Sequence, residues 1–265
     1  VSRATAGTRE HISFFNDLAA AKERALLLDY DGTIAPFTVD RRRAFPYPEV
    51  PHLLQQIMRD CRTRVVVISG RAAHQLPGLL GLNPTPEIWG THGVERIHAD
   101  GRYEEIDVTD EALQKLAQAE AQLENAGLGD CLEVKLAAVA LHLRGLSPAK
   151  VLKIRTKAYG ILEPLASQPD LLLSEFEEGI EIRLRSANKG NVLQTLLSEL
   201  DKNIPVAYLG DDTTDEDAFR ALNGRGLTVL VRPKHRFTAA QMWLRPPEEL
   251  IQFLKDWIRL CRGDR

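Results

Sequence analysis

The sequence predicts an α/β fold: a parallel sheet covered by helices on both faces, interrupted by an inserted α+β unit. Three observations carry this. Short runs that are apolar or nearly so, at 26–28, 65–68, 206–209 and 227–231, alternate with helix-period segments, as strands buried on both faces do. Polar motifs follow three of these runs directly, around Asp29, Ser69 and Asp211, and the ligand site of such a sheet lies beyond the carboxyl ends of its strands. The middle of the chain instead alternates apolar with polar residues, the pattern of antiparallel strands with one wet face.

Residues 10–24 read as a helix with Ile12, Phe15, Leu18 and Ala19 on one face. The buried run Leu26-Leu27-Leu28 ends at Asp29, a helix follows over 49–60, and the run 65–68 ends at Ser69-Gly70-Arg71. A short strand at 87–89 leads into Gly90-Thr91-His92-Gly93, and Ala99-Asp100-Gly101 marks a hairpin turn between polar strands. Residues 109–125 are a predicted helix stopped at Gly127, and 131–143 a strand or hairpin. Ser147-Pro148 supplies an N-cap and a first-turn proline for a helix to about residue 165. Runs at 171–176 and 180–184 flank Glu177-Glu178-Gly179, a second hairpin signal. Asn188-Lys189-Gly190 opens a helix to about residue 200. The run 206–209 ends at Gly210-Asp211-Asp212, 227–231 is the last strand, and a closing helix starts near Pro246-Pro247, where proline suits the first turn. Residues 1–103 and 185–265 then form the core, and 104–184 an inserted α+β domain.

With 44 % hydrophobic and 27 % charged residues in 265, the chain is of ordinary globular composition, and disorder throughout is excluded. A net charge of -3 lacks the basic surplus of a nucleic-acid binder. Cys61, Cys131 and Cys261 are odd in number and widely spaced, which indicates neither a disulfide framework nor a zinc site and fits a reducing cytoplasm. No apolar run has the length of a membrane span, so no membrane partner is expected, and no basic region followed by an apolar core marks a signal peptide.

Asp29-Tyr30-Asp31-Gly32-Thr33 places two carboxylates two residues apart after a buried strand. The first can attack phosphorus and form an acyl-phosphate; the second can protonate the leaving oxygen and later deprotonate water. A calcium loop is the alternative, but the residues that follow, Val39-Asp40-Arg41-Arg42-Arg43, do not supply its ligands. Asp211 and Asp215 can meet at the mouth of a strand and hold a cation, and such hard oxygen ligands favour Mg²⁺. Glu216 and Asp217 in the same acidic run suit a helix N-terminus. Lys189 puts positive charge at a helix start, against the dipole, so a role on a phosphoryl group explains it better than helix stability does. Ser69 and the backbone N–H groups near it, including that of Gly70, can bind phosphate, although a turn serine is the plainer reading of Ser69 alone.

The segments LLLDYDGT, VVVISGR, NKG and YLGDDTTDED, in that order, resemble the four motifs of the haloacid dehalogenase superfamily. Within it, DYDGTIAP, SGR, GTHGVE, EVK followed by HLR, EIR before NKG, and GDDTTDEDAF resemble the trehalose-6-phosphate phosphatases, over residues 22–232. The resemblance implies a Rossmann-like HAD core with a parallel sheet and an inserted α+β cap. It implies Asp29 as nucleophile and metal ligand, Asp31 as acid/base with its backbone carbonyl on the metal, and Asp211 and Asp215 as further metal residues. Ser69, Gly70 and Lys189 would hold the phosphate, with Arg71 and His92 at the core–cap junction. Glu133, Lys135, Arg144 and Glu181 match positions that contact the sugar. The implied cofactor is Mg²⁺, the substrate a small sugar phosphate, the location cytoplasmic, and a trehalose-6-phosphate synthase is an admissible functional partner.

Glu133 and Lys135 share a face of an extended strand, as do Glu181 and Arg183. His142 and Arg144 have the other parity, so a hairpin turn near Leu136-Ala137 must reset it. Beside trehalose 6-phosphate hydrolysis stand a phosphatase for another phosphorylated disaccharide or a glucosyl-phosphoglycerate, a phosphotransferase, and a non-catalytic sugar-phosphate sensor; the last is disfavoured because Asp29, Asp31 and Lys189 are all present.

Overall fold

The structure, a computed structural model, describes residues 9–106, 108–167, 169–176 and 179–263. Its first part holds helix α1 (Arg9–Ala20), strand β1 (Arg24–Leu28), α2 (Val50–Asp60), β2 (Thr63–Ile68), α3 (Leu76–Leu80), β3 (Glu87–Gly90), β4 (Glu95–Ile97) and β5 (Tyr103–Glu105). The middle holds α4 (Asp110–Asn125), β6 (Leu132–Lys135), β7 (Ala138–His142), α5 (Pro148–Ala166), β8 (Leu171–Phe176) and β9 (Gly179–Leu184). The last part holds α6 (Lys189–Glu199), β10 (Val206–Gly210), α7 (Glu216–Leu222), β11 (Leu227–Val231), β12 (Met242–Leu244) and α8 (Glu248–Arg262).

The larger sheet runs β12-β11-β10-β1-β2-β3-β4-β5. It is parallel from β12 to β3, and the β4–β5 hairpin adds two antiparallel strands at one edge. Strand β1 is buried at every position because helices cover both faces. Its side chains alternate accordingly. Leu26 and Leu28 join one apolar cluster with α2 and α8, while Ala25 and Leu27 join another with α6 and α7. Helix α8 buries Leu250, Phe253, Leu254, Trp257 and Ile258, one stripe at helical spacing.

The smaller sheet, β6-β7-β9-β8, is antiparallel throughout. Val139, Leu141, Ile180 and Ile182 on one face pack with Leu116, Leu123, Ile154 and Leu162 of α4 and α5. The other face is charged and turns toward the carboxyl ends of the large sheet. No described helix is long and apolar enough to cross a membrane.

Some boundaries differ from expectation. Helix α1 ends at Ala20 rather than 24, because pairing of Arg24 with Thr63 claims the next residues for the sheet. Strand β5 pairs with β4 in the large sheet, so position 104, the expected start of the insertion, falls inside a core strand. Pro247 caps α8 rather than sitting in its first turn. Of the second hairpin turn, Glu177 and Glu178 lie outside the described residues.

Candidate active site

Parallel pairing sets three loops side by side. Leu28 is in register with Val67 on one side and Leu209 on the other, so Asp29, Ser69 and Asp211 all emerge at one end of the sheet. The Asp29 N–H donates to the Leu209 carbonyl at 2.8 Å, which fixes the start of the first loop. Gly32, at φ 88, lets that loop pass Asp211: a Cβ there would lie 2.3 Å from Asp211 Oδ2.

Asp29 is buried, and both its oxygens are held. Lys189 Nζ donates to Oδ1 at 2.6 Å and the Thr33 hydroxyl to Oδ2 at 2.9 Å. Asn188 caps α6 by accepting from the Asn191 N–H, and this cap delivers Lys189 into the site. Lys189 also donates to Asp215 Oδ1 at 2.7 Å. Asp215 accepts further from the Tyr208 hydroxyl and, at 2.9 Å each, from the N–H groups of Asp211 and Asp212. Its carboxylate accepts from four donors and so organises the loop.

Burial lifts the Asp29 carboxyl to about 7, against the pull of Lys189. Burial, with the charges of Asp29, Asp215 and Asp212, pushes Asp211 well above the carboxylate range. Lys189 is held protonated: burial opposes its charge, but Asp215 and Asp29 more than restore it. Asp29, Asp211 and Asp215 each offer an oxygen within 4.8 Å of one another. Three buried acidic side chains crowd around one lysine, and Arg232, whose Nη1 donates to the Asp211 carbonyl at 3.3 Å, stays 4.0 Å from Asp211 Oδ2. A hard divalent cation fits this donor set.

The Asp31 carboxylate points elsewhere. Arg71 grips it in a bidentate pair, Nε to Oδ2 and Nη2 to Oδ1 at 2.6 Å each. Arg71 is only 2 % exposed and lies over the Tyr30 ring. Ser69 Oγ accepts from the Arg71 N–H at 3.2 Å. Thr91 and His92 both adopt positive φ, 47 and 55, a costly conformation for residues with a Cβ. It sets the His92 ring over Gly70, where a Cβ would lie 2.7 Å from the ring.

The charged face of the small sheet closes over these groups. Glu133, Ala140 and Glu181 stand opposite one another across three strands, as do Lys135, Ala138 and Arg183. A turn at 136–137 resets the parity, so His142 shares their face. Lys135 Nζ donates to Glu181 Oε1 at 2.8 Å, and His92 Nε2 lies 3.0 Å from Glu181 Oε2. Burial opposes the Glu181 charge, yet Lys135 and His92 hold it well below the usual range. Burial pulls the His92 imidazole down against Glu181. Arg144 donates to the Thr38 carbonyl and stacks 4.6 Å from the Phe37 ring.

One cavity is lined by Asp29, Asp31, Ser69, Gly70, Arg71 and His92, and on its other sides by Lys135, Arg144, Glu181, Lys189 and Asp211. Asp215 lies beneath it, and Glu133 borders an adjoining cavity. Phe37, Arg41, His142, Phe176, Asp212 and Thr214 complete the first cavity without having been singled out. His142 belongs to the HLR motif, and its parity after a turn was the available signal; Arg41 has no motif to mark it.

The fold is that of the haloacid dehalogenase-like hydrolases: one from B. subtilis aligns over 88 % of this chain and 99 % of its own at a TM-score of 0.61, with 18 % identity. Within that class the chain belongs to the trehalose-phosphatase family, whose profile matches residues 27–241. It is 29 % identical to the probable trehalose-phosphate phosphatase 3 of Oryza sativa subsp. japonica, over 96 % of this chain and 75 % of the relative. It is 31 % identical to the trehalose-phosphate phosphatase of Mycobacterium marinum over 86 % of this chain, and spans 60 % of that relative's length. A bifunctional trehalose-6-phosphate synthase/phosphatase of Thermoproteus tenax is 30 % identical over 82 % of this chain and 30 % of its own. The C-terminal domain of the C. albicans trehalose-6-phosphate phosphatase shares the fold at a TM-score of 0.78, with 23 % identity over 98 % of this chain and 99 % of that domain.

Proposed function

We propose that the protein hydrolyses trehalose 6-phosphate to trehalose and inorganic phosphate through an aspartyl-phosphate on Asp29. The observation that carries this reading is the setting of Asp29, a buried carboxylate at a strand end, held by Lys189 and Thr33, facing a cavity roofed by a charged sheet. Family membership supports the substrate.

An Asp29 oxygen attacks phosphorus, and the bond from phosphorus to the sugar oxygen breaks as Asp31 gives that oxygen a proton. Asp31, now a carboxylate, takes a proton from water, which attacks the acyl-phosphate, frees phosphate and restores Asp29. Both Asp31 oxygens accept from Arg71 in this structure, so Asp31 must release one of them and take up a proton before it serves as the acid. Lys189, the Ser69 hydroxyl and the Gly70 N–H hold phosphoryl oxygens, whose charge grows in the transition state. Mg²⁺, held by Asp29, Asp211, the Asp31 carbonyl and, directly or through water, Asp215, would neutralise charge on the phosphoryl group. The inserted unit from α4 to β9 acts as a cap: Glu133, Lys135, Arg144 and Glu181, with Arg71 and His92 at the junction, read sugar hydroxyls.

The Thermoproteus tenax relative supports pairing with a trehalose-6-phosphate synthase. The three cysteines are free, as in a reducing compartment, and we place the reaction in the cytoplasm.

Phosphate release with Mg²⁺ across trehalose 6-phosphate, sucrose 6-phosphate, glucose 6-phosphate and glucosyl-phosphoglycerate tests the reading. Trehalose 6-phosphate is expected to give the highest kcat/KM, and preference for another member would replace the substrate. An acid-stable, base-labile phosphoenzyme is expected with the wild type, and its absence under single-turnover conditions would remove the covalent step.

A further inference from the structure

Three arginines stand in a row at 41–43, in a single turn capped by Asp40. They behave differently. The Arg42 side chain is 91 % exposed and pairs locally with Asp40, whereas that of Arg41 is 28 % exposed and reaches the small sheet. Arg41 Nη1 donates to Glu133 Oε2 and lies 2.8 Å from His142 Nε2, itself 2.7 Å from the same Glu133 oxygen. At its other end, the Arg41 carbonyl accepts from Arg71 Nη1 at 2.9 Å. Arg71 is the residue that grips both oxygens of Asp31. One residue therefore joins, through side chain and main chain, a cap carboxylate to the carboxylate beside Asp29.

An exposed ion pair holds little. This one is partly buried, shared with His142, and continuous with an arginine buried in the core. The cap also takes hold of the same core segment through Arg144, at Thr38 and Phe37. Burial opposes the Glu133 charge, but His142, Lys135 and Arg41 bring its carboxyl down to about 2, so it stays ionised and bound.

We propose that Arg41 is a positioning residue: it fixes Glu133 in the pose that meets the sugar and ties that pose to the core through Arg71. The assignment rests on the reading of Glu133 as a sugar contact. Arg41 has this task because Glu133 lies on β6, which among the described residues is an edge strand paired with β7, and a carboxylate at a sheet edge needs a second anchor to hold one orientation.

The test compares Arg41→Met, Arg41→Lys, Glu133→Ala and Arg41→Met/Glu133→Ala. Arg41→Met is expected to lower kcat/KM for trehalose 6-phosphate roughly tenfold or more, the scale of one lost charge-assisted hydrogen bond. Hydrolysis of p-nitrophenyl phosphate should fall far less. Arg41→Lys should recover most of the loss, and the double variant should be little worse than Glu133→Ala, because both changes remove one interaction. A second readout needs no substrate: amide hydrogen exchange at 132–135 and 38–44 should rise in Arg41→Met while β1 and β10 stay protected. Unchanged exchange, equal losses on both substrates, or additive losses would each overturn the proposal. If the wild type prefers a different sugar phosphate, the substrate reading fails, and the same variants assayed on that compound, with the exchange data, still decide the role of Arg41.

Discussion

At Asp29 the two carboxylate oxygens have different partners, a lysine and a threonine hydroxyl, and the chemistry asked of the residue needs one of them free to attack. Asp29→Asn keeps the size and an oxygen that can accept from Lys189, with an amide that can donate to the Thr33 hydroxyl, but removes the nucleophile. It should fold with an unchanged circular dichroism spectrum and release no phosphate; a folded variant with near wild-type turnover would exclude Asp29. Asp31→Asn should act on proton transfer, costing about two to four orders of magnitude in kcat for a poor leaving group. With p-nitrophenyl phosphate, whose leaving group needs no acid, the loss should be much smaller. Equal losses would exclude Asp31 as the acid. These residues were legible because each follows a buried apolar run or opens a helix against its dipole. Arg41 was not, since three consecutive arginines carry no periodicity to show which one leaves solvent.

The antiparallel sheet gives the cap its charged face by register. Ala138 and Ala140 are wholly buried between the rows of β6 and β9, and small residues there let Glu133, Lys135, Glu181 and Arg183 converge. Removing one sugar contact from this row should cost about 1.5–3 kcal/mol, the scale of a charge-assisted hydrogen bond. Glu133→Ala and Lys135→Ala should then lower kcat/KM for trehalose 6-phosphate roughly ten- to a hundredfold, and p-nitrophenyl phosphate hydrolysis far less. Unaltered trehalose 6-phosphate kinetics in both variants would make the row an ordinary wet sheet face. The strands themselves followed from the alternation of side chains. The turn at 136–137 was required by parity alone, because Leu136-Ala137 holds no glycine, asparagine or proline. Strand β12 and helix α3 were missed, being three and five residues long, too short for periodicity to register; the acidic pair Glu216 and Asp217 did mark the start of α7.

Across the whole molecule, core and cap meet through ion pairs that involve Glu133 with Arg41 and Glu181 with His92. Both carboxyls ionise below their ordinary 4.5 in the folded chain, Glu133 near 2 and Glu181 well below its usual range. As pH falls through 4.5 the unfolded chain takes up protons that the folded chain refuses, so stability is present above 4.5 and declines below it. The thermal unfolding midpoint should drop as pH is lowered from 5 to 3, and Glu133→Gln should shallow that drop. A parallel displacement of both curves would show that Glu133 does not contribute to it. The parallel core and its site end were legible from buried runs ending in polar motifs. The reach of the large sheet to β5 was not, because polar three-residue strands look alike whichever sheet they join.

The place of β1 in that sheet bears on how the protein is made. Ala25 has Arg64 as its partner on one side and Val206 on the other. A ribosome that has delivered the first two strands has delivered a sheet with an open edge, and it must pass the entire cap before the closing strand emerges. During that interval the nascent chain carries an unpaired strand edge of the kind that invites mispairing. Asp29 is then already in the growing chain while Asp211 has still to be translated, so an interrupted round of synthesis yields an edge to be guarded and no partial catalyst.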